Sequence, residues 1–165
     1  FKKMSVLDNI LTGLSRHMST SFIEQALGLP RARREAEAFR LRGQGILEFL
    51  ELQAHRDVLV VNLSYGLQKR VELGRALIAG PSLLLLDEPM AGMNAEEKQE
   101  MARFVADVNR DLGTTVVLIE HDIGVVMGLS DHVVVLDYGR KVGDGTPAQV
   151  QADPEVIAAY LGVAH

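Results

Sequence analysis

Two adjacent carboxylates, Asp87 and Glu88, directly follow an apolar run of the sequence. The run, residues 83–86, consists of leucines with a Gly-Pro pair before it and a proline after it, which predicts a short strand buried on both faces of a parallel sheet. Ligands of open α/β sheets bind at the carboxyl ends of the strands. Because neighbouring carboxylates repel unless a cation or a proton separates them, we expect Asp87 to bind Mg²⁺ and Glu88 to polarise a water that attacks a phosphate. The alternative interpretation is that both acids only cap the following turn.

A second candidate is the start of the helix predicted to open at Leu63-Ser64-Tyr65-Gly66-Leu67-Gln68. Apolar residues then recur with a period near that of an α-helix, at Leu67, Val71, Leu77 and Ile78. The free N–H groups and the positive end of the helix dipole favour a phosphate at this position. The Ser64 hydroxyl adds a donor, and Gly66 allows close approach of the backbone. The alternative is an ordinary serine N-cap.

A third candidate is the imidazole of His121. It follows residues 115–119, an apolar run that predicts a second buried strand, and lies within the segment Glu120-His121-Asp122. A single histidine is more often structural than catalytic. Its position at the carboxyl end of a strand, the sheet edge expected for Asp87 and Glu88, favours a functional role.

These segments, in this order and spacing, resemble the nucleotide-binding subunits of ABC transporters. Residues 63–68 resemble the signature motif of that family, residues 83–89 its Walker B motif, residues 91–94 its D-loop and residues 119–122 its switch histidine. The resemblance extends over essentially the whole chain. Residues 87–94 and the ending at residues 154–162 are most similar to the branched-chain (hydrophobic) amino acid uptake branch.

The resemblance implies an α/β fold: a partial P-loop ATPase, the ABC nucleotide-binding domain, whose parallel core strands lack the Walker A strand, plus a helical subdomain. It places the helical (signature) subdomain in residues 1–80 and the carboxyl-terminal part of the RecA-like ATPase core in residues 81–165. Within the first part, residues 1–52 are expected to face a transmembrane partner.

The resemblance also implies that two such subunits meet head to tail around ATP. Ser64 and Gly66 would contact the γ-phosphate held by the opposite subunit, and His121 the γ-phosphate of its own. Asp87 would serve Mg²⁺ and Glu88 the attacking water. The other nucleotide-binding candidates of the resemblance are Tyr65, Gln68 and Asn94. The chain departs from common family patterns at three positions, with Tyr65 replacing a glycine, Leu67 a glutamine and Asn94 an aspartate.

No phosphate-binding run G-x-x-x-x-G-K-[ST] occurs in the sequence. Phe1 and the residues after it resemble the family's sequence just past the Q-loop, so we expect an amino-terminal truncation that removes Walker A and the Q-loop. The chain alone is then expected not to hydrolyse ATP. In the family the Walker A strand lies between the strand ending at His121 and the strand at residues 133–136, so two strand edges would be exposed, and we expect the fragment to self-associate.

Composition restricts the class of protein. The 165 residues are 47% hydrophobic, as in globular proteins, and no apolar run approaches the ~20 residues that span a bilayer. A net charge of -5 argues against nucleic acid as a partner, and the absence of cysteine excludes disulfides. By resemblance we expect a cytoplasmic protein peripheral to the inner face of the membrane. Its expected partners are a second nucleotide-binding subunit, transmembrane permease subunits and, indirectly, a periplasmic substrate-binding protein.

Other interpretations remain open at this stage. The same ATPase type could serve another cargo, such as lipopolysaccharide export or urea uptake. A different class would be a non-hydrolytic interaction fragment, or a relative of chromosome-maintenance ATPases. The latter need a long coiled coil before the signature, and no sustained heptads precede Leu63.

Local signals predict where several elements begin and end. Residues 58–61 have the composition of a strand, yet the resemblance predicts a loop there. Capping residues and prolines predict seven helices: Ser5 with Asp8 to about Leu14, Phe22–Leu27 ended by Gly28, Pro30 onward, Asn94 with Glu97 up to Gly113, Asp122 to about Leu129, a start at Thr146 with Pro147, and a start at Asp153 with Pro154. The segment Asp137-Tyr138-Gly139-Arg140, which follows the apolar strand at residues 133–136, predicts a hairpin turn.

Overall fold

A computed structural model describes residues 1–161 of the chain, which form an α/β arrangement of two compact units. The first unit is Phe1–Val117 and the second begins at Leu118. The boundary between these units reflects spatial contacts only. The division into a helical subdomain, residues 1–80, and an ATPase core, residues 81–165, therefore stays a prediction. No helix in residues 1–161 is both long enough and apolar enough to cross a bilayer.

The first unit begins with helices and ends with a β-α-β segment. Its elements are α1 (Val6–Leu11), α2 (Phe22–Ala26), α3 (Pro30–Phe49), α4 (Tyr65–Leu77), β1 (Leu83–Asp87), α5 (Ala95–Leu112) and β2 (Thr115–Ile119), the last of which continues into the second unit. Short 3₁₀ helices occupy Thr12–His17, Gln53–His55 and Val60–Asn62. The prediction that residues 58–61 do not form a strand is therefore confirmed, apart from one bridge between Leu59 and Ser5.

The helical core is built on α1, which packs against α3 and α4. Ser5 caps α1 as predicted, with its Oγ accepting the Asp8 N–H at 3.1 Å, but the helix ends at Leu11 and continues as a 3₁₀ turn. Helix α3 runs unbroken through Gly43 and Gly45 to Phe49. On α4, a Cβ added to Gly74 would lie 3.0–3.1 Å from three side chains, so glycine allows close helix packing there.

Strands β1 and β2 are neighbours in one sheet and are joined by α5. The Thr115 N–H donates to the Ser82 carbonyl at 2.9 Å, so the two strands start side by side and run parallel. The apolar stripe of α5 buries Met101, Phe104, Val105 and Val108, whereas Leu112, which the sequence places on the same stripe, is 47% exposed. The helix ends at Gly113 with φ +65°.

The prediction that β1 is buried on both faces and the prediction that β2 is a buried strand are both wrong for the described residues. In β1 only Leu84 is fully buried, and Leu85 is 70% exposed. No residue of β2 is fully buried. The predicted double burial requires layers on both faces of a sheet, whereas β1 and β2 form a sheet of only two strands in the described chain.

The second unit contains α6 (Ile123–Leu129), β3 (Val133–Asp137), β4 (Arg140–Gly145), α7 (Pro147–Ala152), α8 (Pro154–Val156) and a π-helical turn at Ile157–Leu161. Strands β3 and β4 form the predicted antiparallel hairpin. Its two turn residues, Tyr138 and Gly139, have φ of 45° and 81°, the signs required by a type I′ turn. Gly162, part of the ending similar to the family, lies outside the described residues.

The core of the second unit is small. It consists of Val133, Val135, Val150 and Val156. The alternate residues of β3 point away from it, since Val134 is 53% and Leu136 57% exposed. A cavity of about 740 Å³ is lined partly by β3 and by Leu118 and Ile119. Strand β3 is thus buried on one face only.

Candidate functional site

The helix predicted to open within residues 63–68 is α4, which begins at Tyr65. Ser64 is the N-cap, and its Oγ accepts the backbone N–H of Leu67 at 3.4 Å. The serine is exposed, whereas Gly66 at the second position of the helix is buried. The helix runs through 13 residues and buries an apolar stripe that includes Val71 and Leu77. This packing fixes the first turn of α4 and presents the Ser64 side chain to solvent.

Gly66 is in contact with an acidic side chain of α5. Its backbone N–H donates to Oε1 of Glu97 at 3.2 Å. A Cβ added to Gly66 would lie 2.7 Å from the same oxygen, which is closer than real Cβ contacts allow. A side chain at this position would displace the Glu97 carboxylate, so glycine allows that carboxylate to approach the helix start closely.

The same carboxylate also holds the loop before α5. Oε2 of Glu97 accepts the backbone N–H of Asn94 at 3.2 Å, and Oδ1 of Asn94 accepts the backbone N–H of Glu97 at 2.9 Å. This is the capping box predicted from the sequence. The Asn94 side chain is thus engaged within the chain as a helix cap.

Tyr65 and Gln68 also make contacts within this unit. A Cβ added to Gly92, which has φ +76°, would lie 3.4 Å from Cε1 of Tyr65, so the ring lies against the loop after β1. The Lys69 ammonium lies 5.8 Å from the centroid of the same ring. Nε2 of Gln68 donates to the Leu63 carbonyl at 3.0 Å and fixes the chain before the helix.

The two carboxylates predicted to do chemistry lie at the end of β1, where the sequence placed them. Asp87 is the last residue of the strand and Glu88 follows it, and both are exposed. Glu88 has φ +44°, a left-handed conformation that is uncommon for a residue other than glycine. Its carbonyl accepts the Ala91 N–H at 3.2 Å, so the chain turns immediately after the strand. Backbone strain of this kind is enriched at functional sites.

Asp87 is suited to Mg²⁺ by the chemistry of its ligand atoms. Mg²⁺ prefers oxygen and commonly takes one or two carboxylates together with substrate phosphates and waters. Within residues 1–161, no group of three histidine or acidic side chains is placed to hold a metal ion. The exposed carboxylate of Asp87 fits an ion that arrives with a phosphate ligand.

His121 belongs to the second unit. Its side chain is 69% exposed and directly precedes α6, which Asp122 caps. Nδ1 lies 3.9 Å from the carboxylate of Glu120, whose side chain is only 2% exposed. The imidazole is accessible to a ligand, as a phosphate contact requires. The other candidates, Ser64 to Gln68, Asp87, Glu88 and Asn94, lie together in the first unit.

Two contacts between α4 and α5 were not predicted from the sequence. Glu97 was identified only as a capping residue, and its bond to Gly66 spans 31 positions. One turn further along, Arg70 forms an ion pair with Glu100, and its guanidinium lies 4.9 Å from the centroid of the Phe104 ring. The only sequence signal was a glycine in the first turn of α4, where close approach of another group is one explanation.

Comparison with known proteins gives a consistent result. A family model described as "ABC transporter" matches residues 1–91, and one described as "Branched-chain amino acid ATP-binding cassette transporter" matches residues 140–165. The chain is 39% identical over 165 residues to the high-affinity branched-chain amino acid transport ATP-binding protein BraF of Pseudomonas aeruginosa. It is 37% identical over 164 residues to the corresponding protein LivG of Escherichia coli strain K12.

These alignments cover 99% of this chain and 64% of each relative. The chain therefore spans about 64% of the length of the curated relatives it matches. Among solved structures, the ADP conformation of an ATP-binding cassette of an ABC transporter superimposes with a TM-score of 0.77 at 30% identity. That superposition covers 98% of this chain and 64% of the other.

Proposed function

Since the chain belongs to the ABC transporter family, we propose that it is part of an ATP-binding and ATP-hydrolysing subunit that powers an importer of branched-chain or other hydrophobic amino acids. The observation that carries the proposal is the grouping of Ser64, Gly66, Asp87 and Glu88 in one compact unit, with Glu97 joining the helix start to the loop after β1. The similarity to BraF and LivG, which are branched-chain amino acid transport ATP-binding proteins, supports this cargo over lipopolysaccharide or urea.

In the proposed mechanism, each residue acts on a phosphate or on water. Ser64 Oγ donates a hydrogen bond to the γ-phosphate of an ATP bound mainly by the opposite subunit, and the Gly66 N–H does the same. Glu88 accepts a hydrogen bond from the attacking water, orients it and takes its proton. His121 donates a ring N–H to the γ-phosphate of its own subunit. Asp87 would hold Mg²⁺, which neutralises phosphate charge when bound.

The proposed partners follow from this mechanism. A second nucleotide-binding subunit completes each ATP site, and permease subunits receive the resulting movement. A periplasmic substrate-binding protein takes part indirectly by delivering the amino acid. The proposed location is the cytoplasmic face of the membrane, with attachment through the permease subunits.

The test compares this chain with an extended protein, in which the chain is joined to an upstream segment carrying a phosphate-binding loop. We expect the extended protein to hydrolyse Mg-ATP and this chain alone to show no turnover. Glu88→Gln in the extended protein should abolish turnover and spare ATP binding, because the amide keeps the shape and loses the base. Hydrolysis by this chain alone, or full turnover by Glu88→Gln, would overturn the proposal.

A further inference from the structure

The carboxylate of Glu97 bridges two parts of the proposed ATP site that are distant in sequence. Oε1 accepts the N–H of Gly66 at the start of α4, and Oε2 accepts the N–H of Asn94 at the start of α5, each at 3.2 Å. Both N–H groups lie at helix starts, where backbone donors have no partner within the helix. Glu97 thus acts as a resident anion at the positive end of α4.

Neighbouring contacts hold Glu97 in this position. Its own N–H is bound by the Asn94 side chain at 2.9 Å, which fixes its backbone. The ion pair of Arg70 with Glu100 repeats the α4–α5 contact one turn along. Because a Cβ on Gly66 would lie 2.7 Å from Oε1, the helix start has the shape needed to receive this carboxylate. The contact therefore lies within the interface between α4 and α5.

This contact competes with the role proposed for Gly66. A backbone N–H directed at one carboxylate oxygen is not free for a second acceptor, and two anions at one helix start repel each other. We propose that Glu97 is a positioning residue that occupies the Gly66 N–H in the absence of ATP and has to release it before the γ-phosphate of the opposite subunit binds there. Since the same carboxylate holds Asn94, its release is coupled to the loop at residues 90–94. This inference rests on the proposed function.

The decisive variant is Glu97→Gln, with Glu96→Gln as the matched control. A glutamine has one acceptor oxygen, and the capping-box bond to Asn94, three residues away, is expected to keep it, so the bond to Gly66 is lost. Glu96 is an exposed residue of the same first turn, and its replacement removes the same charge. Both variants are placed in the extended protein carrying Glu88→Gln, so that ATP-driven dimerisation is measured without turnover.

We expect Glu97→Gln to lower the ATP concentration that gives half-maximal dimerisation by about 3- to 10-fold, because a competing anion is removed. We expect Glu96→Gln to leave it within about 1.5-fold, since an exposed charge contributes little. If Glu97 had only a structural role, Glu97→Gln would lower thermal stability but would not lower the ATP concentration for half-maximal dimerisation. An unchanged or raised value for Glu97→Gln would therefore overturn the inference.

A second measurement does not depend on ATP. In the nucleotide-free extended protein, the Gly66 amide resonance should move and its hydrogen exchange accelerate in Glu97→Gln but not in Glu96→Gln, because the bond at 3.2 Å is lost. An unchanged Gly66 amide would also overturn the inference. If the parent extended protein hydrolyses ATP but Glu97→Gln does not lower the ATP concentration for half-maximal dimerisation, this inference alone is refuted. An extended protein that neither hydrolyses ATP nor dimerises would refute the proposed function and this inference together.

Discussion

Glu88 combines a proposed chemical role with an unfavourable backbone conformation. Its φ of +44° disfavours any side chain, and its carboxylate is exposed at the end of β1. Glycine adopts this conformation without the steric cost of a Cβ. An acidic residue at this position is therefore explained better by function than by stability.

At the residue scale we predict that Glu88→Gly is more stable than Glu88→Gln by about 0.5–1 kcal/mol, because only glycine relieves the left-handed strain. Urea unfolding of the extended protein measures the difference. Both variants should lack turnover. A Glu88→Gly protein that is less stable than Glu88→Gln would show that the turn after β1 is not strained at this residue.

At the scale of elements, a carboxylate of α3 holds the segment that directly precedes α2. None of the residues of α2 is buried, and Phe22 is 84% exposed. Glu35 of α3 accepts hydrogen bonds from the backbone N–H and hydroxyl of Ser19, each at 2.7 Å, and from the Thr20 hydroxyl. These bonds lower the pKa of Glu35 to about 2, with the Thr20 hydroxyl as the largest cause.

The attachment of α2 should therefore depend on pH. Because the pKa of Glu35 is lower in the folded protein, its contribution is complete above the unfolded value near 4.5 and is lost as the pH falls towards 2. We predict that Glu35→Gln accelerates proteolytic cleavage within residues 18–29 at pH 7, and that wild type approaches the same rate only below about pH 3.

A protease active across this pH range, or amide exchange of the same segment, provides the measurement. The control is Glu37→Gln, which removes an acidic residue of the same helix outside this hydrogen-bond set. Equal rates for wild type and Glu35→Gln at pH 7 would show that the carboxylate does not hold α2.

Short-range signals explain which elements were predictable from the sequence. The caps at Asn94 and Asp122 and the turn at Tyr138 and Gly139 depend on residues within about four positions of each other, and all formed as predicted. The bond between Glu97 and Gly66 was not predictable, because it depends on how α4 packs on α5. Strand burial was predicted wrongly because an apolar run does not reveal how many layers cover it.

At the scale of the whole molecule, the exposed apolar strands have a consequence for the chain on its own. Val134 of β3 is 53% exposed and lines the cavity of about 740 Å³ in the second unit. Ile119, which lines the same cavity, is 61% exposed. Exposed apolar strand residues beside unpaired strand edges favour pairing with another chain.

We predict that this chain self-associates at micromolar concentration through that surface, with a second copy filling the cavity. Light scattering should give a mass above the 18.1 kDa of one chain. Val134→Lys should reduce association, because a charge in the strand opposes pairing. Leu41→Lys, at a 64% exposed position of α3, should not. A monomer with an ordered sheet would contradict the prediction.

The central claim is that the start of α4 binds the γ-phosphate of an ATP held by a second subunit. The most direct measurement is ATP-dependent dimerisation of the extended protein carrying Glu88→Gln, compared with the same protein carrying Ser64→Ala or Ser21→Ala. Both serines are N-caps whose hydroxyls accept a backbone N–H, at 3.4 Å for Ser64 and 3.3 Å for Ser21. Each substitution therefore removes a comparable helix cap, worth about 1 kcal/mol.

We predict that Ser64→Ala weakens ATP-dependent dimerisation at least about tenfold, since a hydrogen bond to a charged phosphate is lost together with the cap. Ser21→Ala should leave dimerisation unchanged. If both variants dimerise with ATP as well as the parent protein does, the start of α4 does not bind ATP across the interface, and the account is wrong.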